Sequence, residues 1–405
     1  MQYVKFRPLV IAAAFLLLLL CLTGLSMAFS KSVNTHFDFR TQYAAGYMVR
    51  TGNAGKLYDY DETRKIQNAL VSESDKALPF IHLAYEAAMY VPFSFFTYQT
   101  AYFLFFAVNS GLLALAFSML RPHLSNLEVL WSYLPQAIFV CFLPVTMTLV
   151  EGQNSILLLV IMILTLRTLN RGRDSLAGFL LGLASMKFQY VFPIAVLFLI
   201  WRRWRFLAGL AVSGASVFGF SVWLTGALHF FSYLHLLGTM SARFSLQNGM
   251  HLGIRPELMP NLRGLFYAIA GGATPTALVL TVCGSIGVLV WAAARPPSFP
   301  LALMAASLVS YHETFTDATL LLLPVGLAAA TAVKNGFRRS VQLAFLCATI
   351  IISPSLLLLA GVRFYLLALP ILLLFVLYDQ KPLGQEERPF SGKHNSSRRI
   401  KSYPW

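Results

Sequence analysis

Charge is scarce in this chain. Only 12% of its 405 residues are Asp, Glu, Lys or Arg, about half the share found in an ordinary soluble domain. The few charges cluster between long apolar runs, which excludes a soluble globular fold. Acidic residues are the scarcest, 16 against 31 Lys and Arg, for a formal charge of +15. That excess does not point to nucleic acid, because much of it borders apolar spans, where orientation signals of membrane proteins belong. Cysteine is nearly absent too. Cys21, Cys141, Cys283 and Cys347 all fall inside apolar runs. With no CxxC pair and no histidine cluster, neither a zinc site nor a disulfide framework across the loops is expected. No internal repeat is visible, and no low-complexity segment outside the C-terminal tail.

What is present is hydrophobic length. The chain is 57% hydrophobic, with a mean hydropathy of +0.66. Its runs suit helices that cross a bilayer core of about 30 Å, and they lack the alternation of an outer-membrane barrel. The expected fold is therefore an all-α polytopic membrane protein. A first span is predicted at 9–28, after Lys5 and Arg7; it is long for a signal sequence and no A-x-A site follows. Further spans are predicted at 100–119, 129–149, 155–169, 206–226, 274–293, 299–312, 318–333, 340–358 and 362–378. The basic turns at Arg167–Asp174 and Trp201–Arg205 both read as cytoplasmic, and about 27 residues separate them. Two full spans do not fit there, so a broken pair of short helices meeting near Lys187 is predicted. Residues 1–378 then form one integral-membrane domain with both termini cytoplasmic. The stretch 29–98 is its first outer loop, carrying interfacial helices at 41–51 and 59–71. Asp59 and Glu62 have the spacing of a capping box. Residues 379–405 are a basic, disordered tail able to touch anionic lipid headgroups.

The polar residues gather on the predicted outer connections. Asp38, Arg40, Glu86, Glu151, Gln153, Asn154, Lys187, Asn261, Arg263, His312, Glu313 and Asp317 lie at or just inside the ends of apolar runs, where ionisable groups are costly and usually functional. Carboxylates there can act as bases and cations can hold phosphate. Position alone does not choose between Asp38 as a base and Asp38 as the N-cap of the 41–51 helix. Glu86 can bind sugar hydroxyls or pair with Arg40. Gln153 and Asn154 can bond a sugar or cap the next helix. Lys187 interrupts an apolar stretch, either snorkelling to the surface or facing a cavity where it holds a phosphate. Arg263, in Met259–Gly264, reads as part of an interfacial turn that opens a helix. His312, Glu313 and Asp317 form a turn between two helices or a site.

The order of these motifs resembles glycosyltransferase family 87. Asp38-Phe39, Ala45-Gly46 and Leu57-Tyr58-Asp59 are similar to its first outer loop. Tyr85 to Pro92, Gly152-Gln153-Asn154, Lys187-Phe188-Gln189 and the His312 turn follow in the family's order. The chain departs from it at Ala84-Tyr85-Glu86, where many members have Tyr-Pro-Pro, and at Phe188 after the lysine. The resemblance implies a GT-C bundle of about 10–12 transmembrane or re-entrant helices in a bacterial inner membrane, with its site facing outward. It also implies a hexosyltransferase that inverts the sugar, mannose above others. The donor would be a polyprenyl phosphate sugar and the acceptor a lipid or glycan, with no cofactor or obligatory metal. By that resemblance Asp38 is the general base, and Lys187 and His312 stand near the donor phosphate. Arg263, Arg40, Glu86, Gln153, Asn154, Glu313 and Asp317 complete the substrate-binding candidates.

Two readings compete. A transporter or flippase would place paired charges at the midplane and break helices in both halves, whereas one broken segment is visible here. A non-catalytic envelope scaffold leaves the carboxylates and Lys187 without a purpose.

Overall fold

Lipid offers no water to backbone amides, so each apolar run must satisfy its own as a helix. The computed structural model describes residues 7–32, 38–73, 77–241, 256–272, 274–335, 337–361 and 363–378, and contains no strand among them. The basic tail from residue 379 and most of the predicted 227–262 loop beyond Ser241 lie outside the described residues.

The chain opens with α1 (Arg7–Ser32). Three short helices follow in the first loop, α2 (Asp38–Arg50), α3 (Tyr60–Leu70) and α4 (Ala84–Met89). Then come α5 (Tyr98–Leu124), α6 (Leu134–Cys141), α7 (Leu143–Glu151), α8 (Ser155–Asn170), α9 (Asp174–Gly182), α10 (Phe188–Ile200) and α11 (Trp204–Thr225). The second half holds α12 (Ala227–Ser241), α13 (Leu262–Ile269), α14 (Pro275–Ala293), α15 (Phe299–Val309), α16 (Leu322–Lys334), α17 (Phe337–Leu359) and α18 (Ala368–Leu377).

Six runs among the described residues are long and apolar enough to cross a membrane, or seven if α6 and α7 count as one bent span. Four shorter apolar helices accompany them. The chain is a polytopic all-α membrane protein. The predicted 129–149 span is not one helix: α6 and α7 meet at a 48° bend. Pro144 lies just past the break and cannot donate to the preceding turn.

The segment 174–200 passes for a single span by length, but its ends contradict that. Asp174, at the start of α9, pairs with Arg203, which follows α10, at 3.3 Å. A straight 27-residue helix would hold its ends about 40 Å apart. The run therefore folds back at the 3-10 turn Leu183–Lys187, and Lys187 sits at the inner apex of a re-entrant hairpin. α9 lies flush on α11. A Cβ on Gly178 would come 1.8 Å from the Phe206 carbonyl oxygen, and one on Gly209 equally close to that of Ser175.

Burial sorts the bundle. The run Phe315–Lys334 is 89% buried, whereas Trp204–Thr225 is only 11% buried and shows its side chains to lipid. α15 is buried from Phe299 through Leu308. Its 11 residues could not cross a bilayer alone, yet a helix enclosed by protein need not match the bilayer's thickness.

The first loop is built, not trailing. Phe39, Tyr43, Tyr90, Tyr98, Tyr102 and Phe105 form one aromatic cluster that fastens α2 to α5, with the Phe39 and Phe105 rings stacked 5.1 Å apart. Asp59 caps α3, accepting from the backbone N–H of Asp61 and Glu62. Only half of the predicted capping box forms, because the Glu62 carboxylate turns to Lys56 at 3.3 Å. α2 begins at Asp38 rather than at 41, so Asp38 occupies the first turn of the helix.

Replacing Gly178 by Val should lower the unfolding free energy in nanodiscs by at least 1–3 kcal/mol, the usual range for overpacking, because the neighbouring backbone has no rotamer to yield. Chemical denaturation followed by tryptophan fluorescence would measure it, and wild-type stability would show that the α9–α11 contact is looser than described.

Candidate active site

Three irregular turns and one loop helix converge at one end of the buried helices. Irregular backbone at membrane depth needs partners from protein, and side chains supply them here.

The first turn joins α7 to α8. Gly152 sits at φ +65°, and a Cβ there would come 2.5 Å from the Phe39 Cβ. Only glycine admits both the left-handed backbone and the α2 helix pressed on it. Two α5 side chains hold the turn: Tyr102 Oη donates to the Val150 carbonyl at 2.6 Å, and Asn109 Nδ2 to that of Gln153 at 3.0 Å. Gln153 Nε2 in turn donates to Asp38 Oδ2. Asp38 is thus carried by the aromatic cluster of α2 onto a turn 115 residues away.

The second turn is the hairpin apex. Lys187, 3% exposed, lies 3.0 Å from Asp317 Oδ1 and 3.2 Å from Oδ2. Asp317 also accepts from Ser155 Oγ at 2.7 Å and from the Thr314 N–H at 3.2 Å. One carboxylate therefore joins the apex, the start of α8 and the start of the α16 segment.

The third turn, Ser310 to Thr314, has its carbonyls clamped one by one. Asn261 Nδ2 donates to Ser310 O at 2.8 Å, Arg263 Nη1 to Tyr311 O at 2.6 Å, and Gln189 Nε2 to His312 O at 3.0 Å. Arg263 also stacks 3.8 Å over the Tyr311 ring. Asn261 caps α13 as well, accepting from Gly264 N–H. Glu313 is buried and accepts from Tyr190 Oη at 2.9 Å and Ser307 Oγ at 2.6 Å. Burial raises its carboxyl well above the ordinary value, favouring the neutral form. Burial, helped by the Lys187 charge, lowers His312 to about 4, so its imidazole is neutral at pH 7.

The loop helix is α4. Its Glu86, fully buried, accepts from Asn154 Nδ2 at 2.7 Å, and its Oε2 lies 3.0 Å from His82 Nδ1. The prospective Glu86–Arg40 pair does not form. Arg40 turns instead to the end of α3, donating to Asn68 Oδ1 and Ser72 O at 2.6 Å each. A guanidinium buried in a loop binds the nearest carbonyls, and those belong to the segment after α3.

Asp38, Gln153, Asn154, Glu86, Lys187 and Asp317 are thus gathered, with His312 and Glu313 on the adjoining turn. Arg40 is directed elsewhere, and Arg263 serves the turn backbone. Desolvation raises the Asp38 carboxyl, while the Gln153 hydrogen bond and the charges of Lys187 and His82 oppose that rise. His82 is the residue that sequence reasoning passed over. Its one signal was the His82–Glu86 spacing, which puts the two side chains on the same side of a helical turn. Among the described residues, no three of His, Cys, Asp or Glu come together as a metal-holding group.

The sequence model of glycosyltransferase family 87 matches residues 85–324, more than half of the chain. The chain belongs to glycosyltransferase family 87. It is therefore a glycosyltransferase, acting on a sugar donor and an acceptor. The matched stretch contains the three turns, α4 from Tyr85, and the hairpin; Asp38 and His82 precede it and reach the site through tertiary packing. No curated protein and no solved structure matches the chain.

Asp317→Asn should destabilise the protein by about 3–5 kcal/mol, as removal of one partner strands a buried charge. Lys187→Met combined with the same Asp317→Asn should recover much of that loss. A double-mutant cycle on unfolding free energies checks it; additive losses would mean the two residues are not coupled.

Proposed function

We propose that this glycosyltransferase moves a hexose, mannose above others, from a polyprenyl phosphate to a hydroxyl of a lipid or glycan acceptor. In this reading the site faces the outside of a bacterial inner membrane and Asp38 is the general base. The observation that carries it is the delivery of Asp38 by α2 onto the Gly152–Gln153 turn, within electrostatic reach of Lys187, His82 and Asp317. A carboxylate raised by desolvation is a stronger proton acceptor than an ordinary aspartate.

Two further features support a lipid-linked donor. An apolar groove of about 400 Å³ runs between α4 and α11, lined by Tyr85, Ala88, Met89, Ser216, Val217 and Phe220. Tyr85, the neighbour of Glu86 on α4, lines this groove, a place for an isoprenoid chain on the same helix that carries Glu86. The polar groups themselves meet at turns buried in an apolar bundle, where a lipid-borne head is the natural visitor.

The chemistry follows. Asp38 takes the acceptor proton as the hydroxyl oxygen attacks the anomeric carbon. The bond from that carbon to the phosphate oxygen breaks with its electron pair, and the centre inverts. Gln153 fixes the Asp38 rotamer. Lys187 and the neutral His312 shape the phosphate side, where fixed charges and dipoles favour the developing anion without reorganising. A single phosphate leaves, so the reading needs no resident metal.

With radiolabelled polyprenyl phosphate mannose and an envelope lipid extract, wild-type protein in nanodiscs should transfer label. Asp38→Asn should lose about 10²–10⁴-fold in kcat, the usual contribution of a general base, with unchanged thermal stability. Full activity in a folded Asp38→Asn protein would remove Asp38 from the role. The wild-type rate should fall as pH drops through the raised Asp38 value, because the protonated carboxyl cannot accept the hydroxyl proton; this acid limb should lie above the pH at which an ordinary aspartate titrates. Incubation with EDTA should leave the rate unchanged.

A further inference from the structure

An anion must be stabilised as the phosphate leaves, and most cations near the turns already have partners. Lys187 is held by both oxygens of Asp317. Arg263 is engaged by the Tyr311 carbonyl and ring. Arg40 is bonded to Asn68 and Ser72. His312 is neutral at working pH. Among the described residues this leaves His82, within electrostatic reach of Asp38, as the acid–base group whose Nδ1 is engaged while its second ring nitrogen meets no protein partner.

The setting of His82 is that of an oriented proton donor. Its Nδ1 lies 3.0 Å from the Glu86 carboxylate and 3.4 Å from the Met186 carbonyl. Both are acceptors, so Nδ1 carries a hydrogen. Glu86 is held in turn by Asn154, and the His82 backbone carbonyl accepts from Tyr58 Oη at 3.1 Å. The ring packs beside Phe80, with centroids 5.6 Å apart. The Met186 carbonyl and the Glu86 carboxylate behind Nδ1 set the orientation of the ring, and the side chain is 16% exposed, unlike the buried Glu86 behind it.

We propose that His82, oriented by Glu86 and Asn154, donates the proton that neutralises the departing phosphate. This rests on the polyprenyl phosphate reading of the site. The acceptor O–H proton passes to Asp38, the acceptor oxygen bonds to the anomeric carbon, and the carbon–oxygen bond to phosphate breaks. His82 Nε2–H then transfers its proton to that phosphate oxygen. Both groups reset by exchange with water. His82 is a catalytic residue here, and Glu86 and Asn154 are positioning residues.

The charged or titratable groups that act on the ring are Glu86 on α4, Asp38 on α2 and His312 on the third turn. The test compares wild type, His82→Gln, His82→Ala and Glu86→Gln in nanodiscs with polyprenyl phosphate mannose. His82→Gln should lose about 10²-fold in kcat, the lower end for an acid–base group, with KM within about threefold of wild type. Added imidazole should restore part of the His82→Ala rate, and Glu86→Gln should be intermediate. A His82→Gln enzyme within twofold of wild type, or a slow His82→Ala enzyme that imidazole does not help, overturns the role and leaves the donor reading standing. Wild-type protein inert with every polyprenyl phosphate sugar overturns both.

Discussion

The Lys187–Asp317 ion pair holds this architecture together. A lysine and an aspartate buried to this degree are tolerable only in company, since either alone carries a large desolvation penalty. Their union fixes the apex of a hairpin that enters the bundle and returns, and it fixes the N-terminal end of the most buried span. Because Asp317 also takes Ser155 and the Thr314 amide, the start of α8 and the His312 turn are tied to the same carboxylate. Everything that gathers around Asp38 depends on those turns being in register.

The site is a meeting of helix breaks. Continuous helices satisfy their own backbone, and their ends do not. Here the orphaned carbonyls at Val150, Gln153, Ser310, Tyr311 and His312 are taken by side chains from α5, α10, α13 and its cap. That makes the polar cluster rigid before any substrate arrives, the condition under which fixed dipoles act most strongly on a transition state. It also explains why several residues with the right chemistry for phosphate are occupied by the protein itself.

A division of labour results. The first loop contributes Asp38, on a short helix anchored by aromatic packing, and His82, in the bend just ahead of α4. The bundle contributes the frame, in which polar side chains bond to one another. The apolar groove between α4 and α11 is lined in part by Tyr85, the chain neighbour of Glu86.

Much of this was legible from residue order. Long apolar runs bounded by basic turns specify membrane helices, because only helices satisfy backbone in lipid. The two basic turns about 27 residues apart imposed the fold-back at Lys187, since too few residues lie between them for two spans. Asp38, Gln153, Asn154, Lys187, His312 and Asp317 stood out because polar groups at the ends of apolar runs are expensive. What sequence could not decide was partnership. Lys187 with Asp317, Gln153 with Asp38 and Arg40 with Asn68 are separated by 130, 115 and 28 residues. Local propensity carries no information about which distant carboxylate or carbonyl a buried cation will meet. His82 escaped notice because a histidine in a loop is unremarkable until tertiary packing buries a carboxylate behind it. Helices, their breaks and the location of polarity were thus written in the local pattern, while charge state and role were decided only by which groups the folded bundle brought within hydrogen-bonding distance.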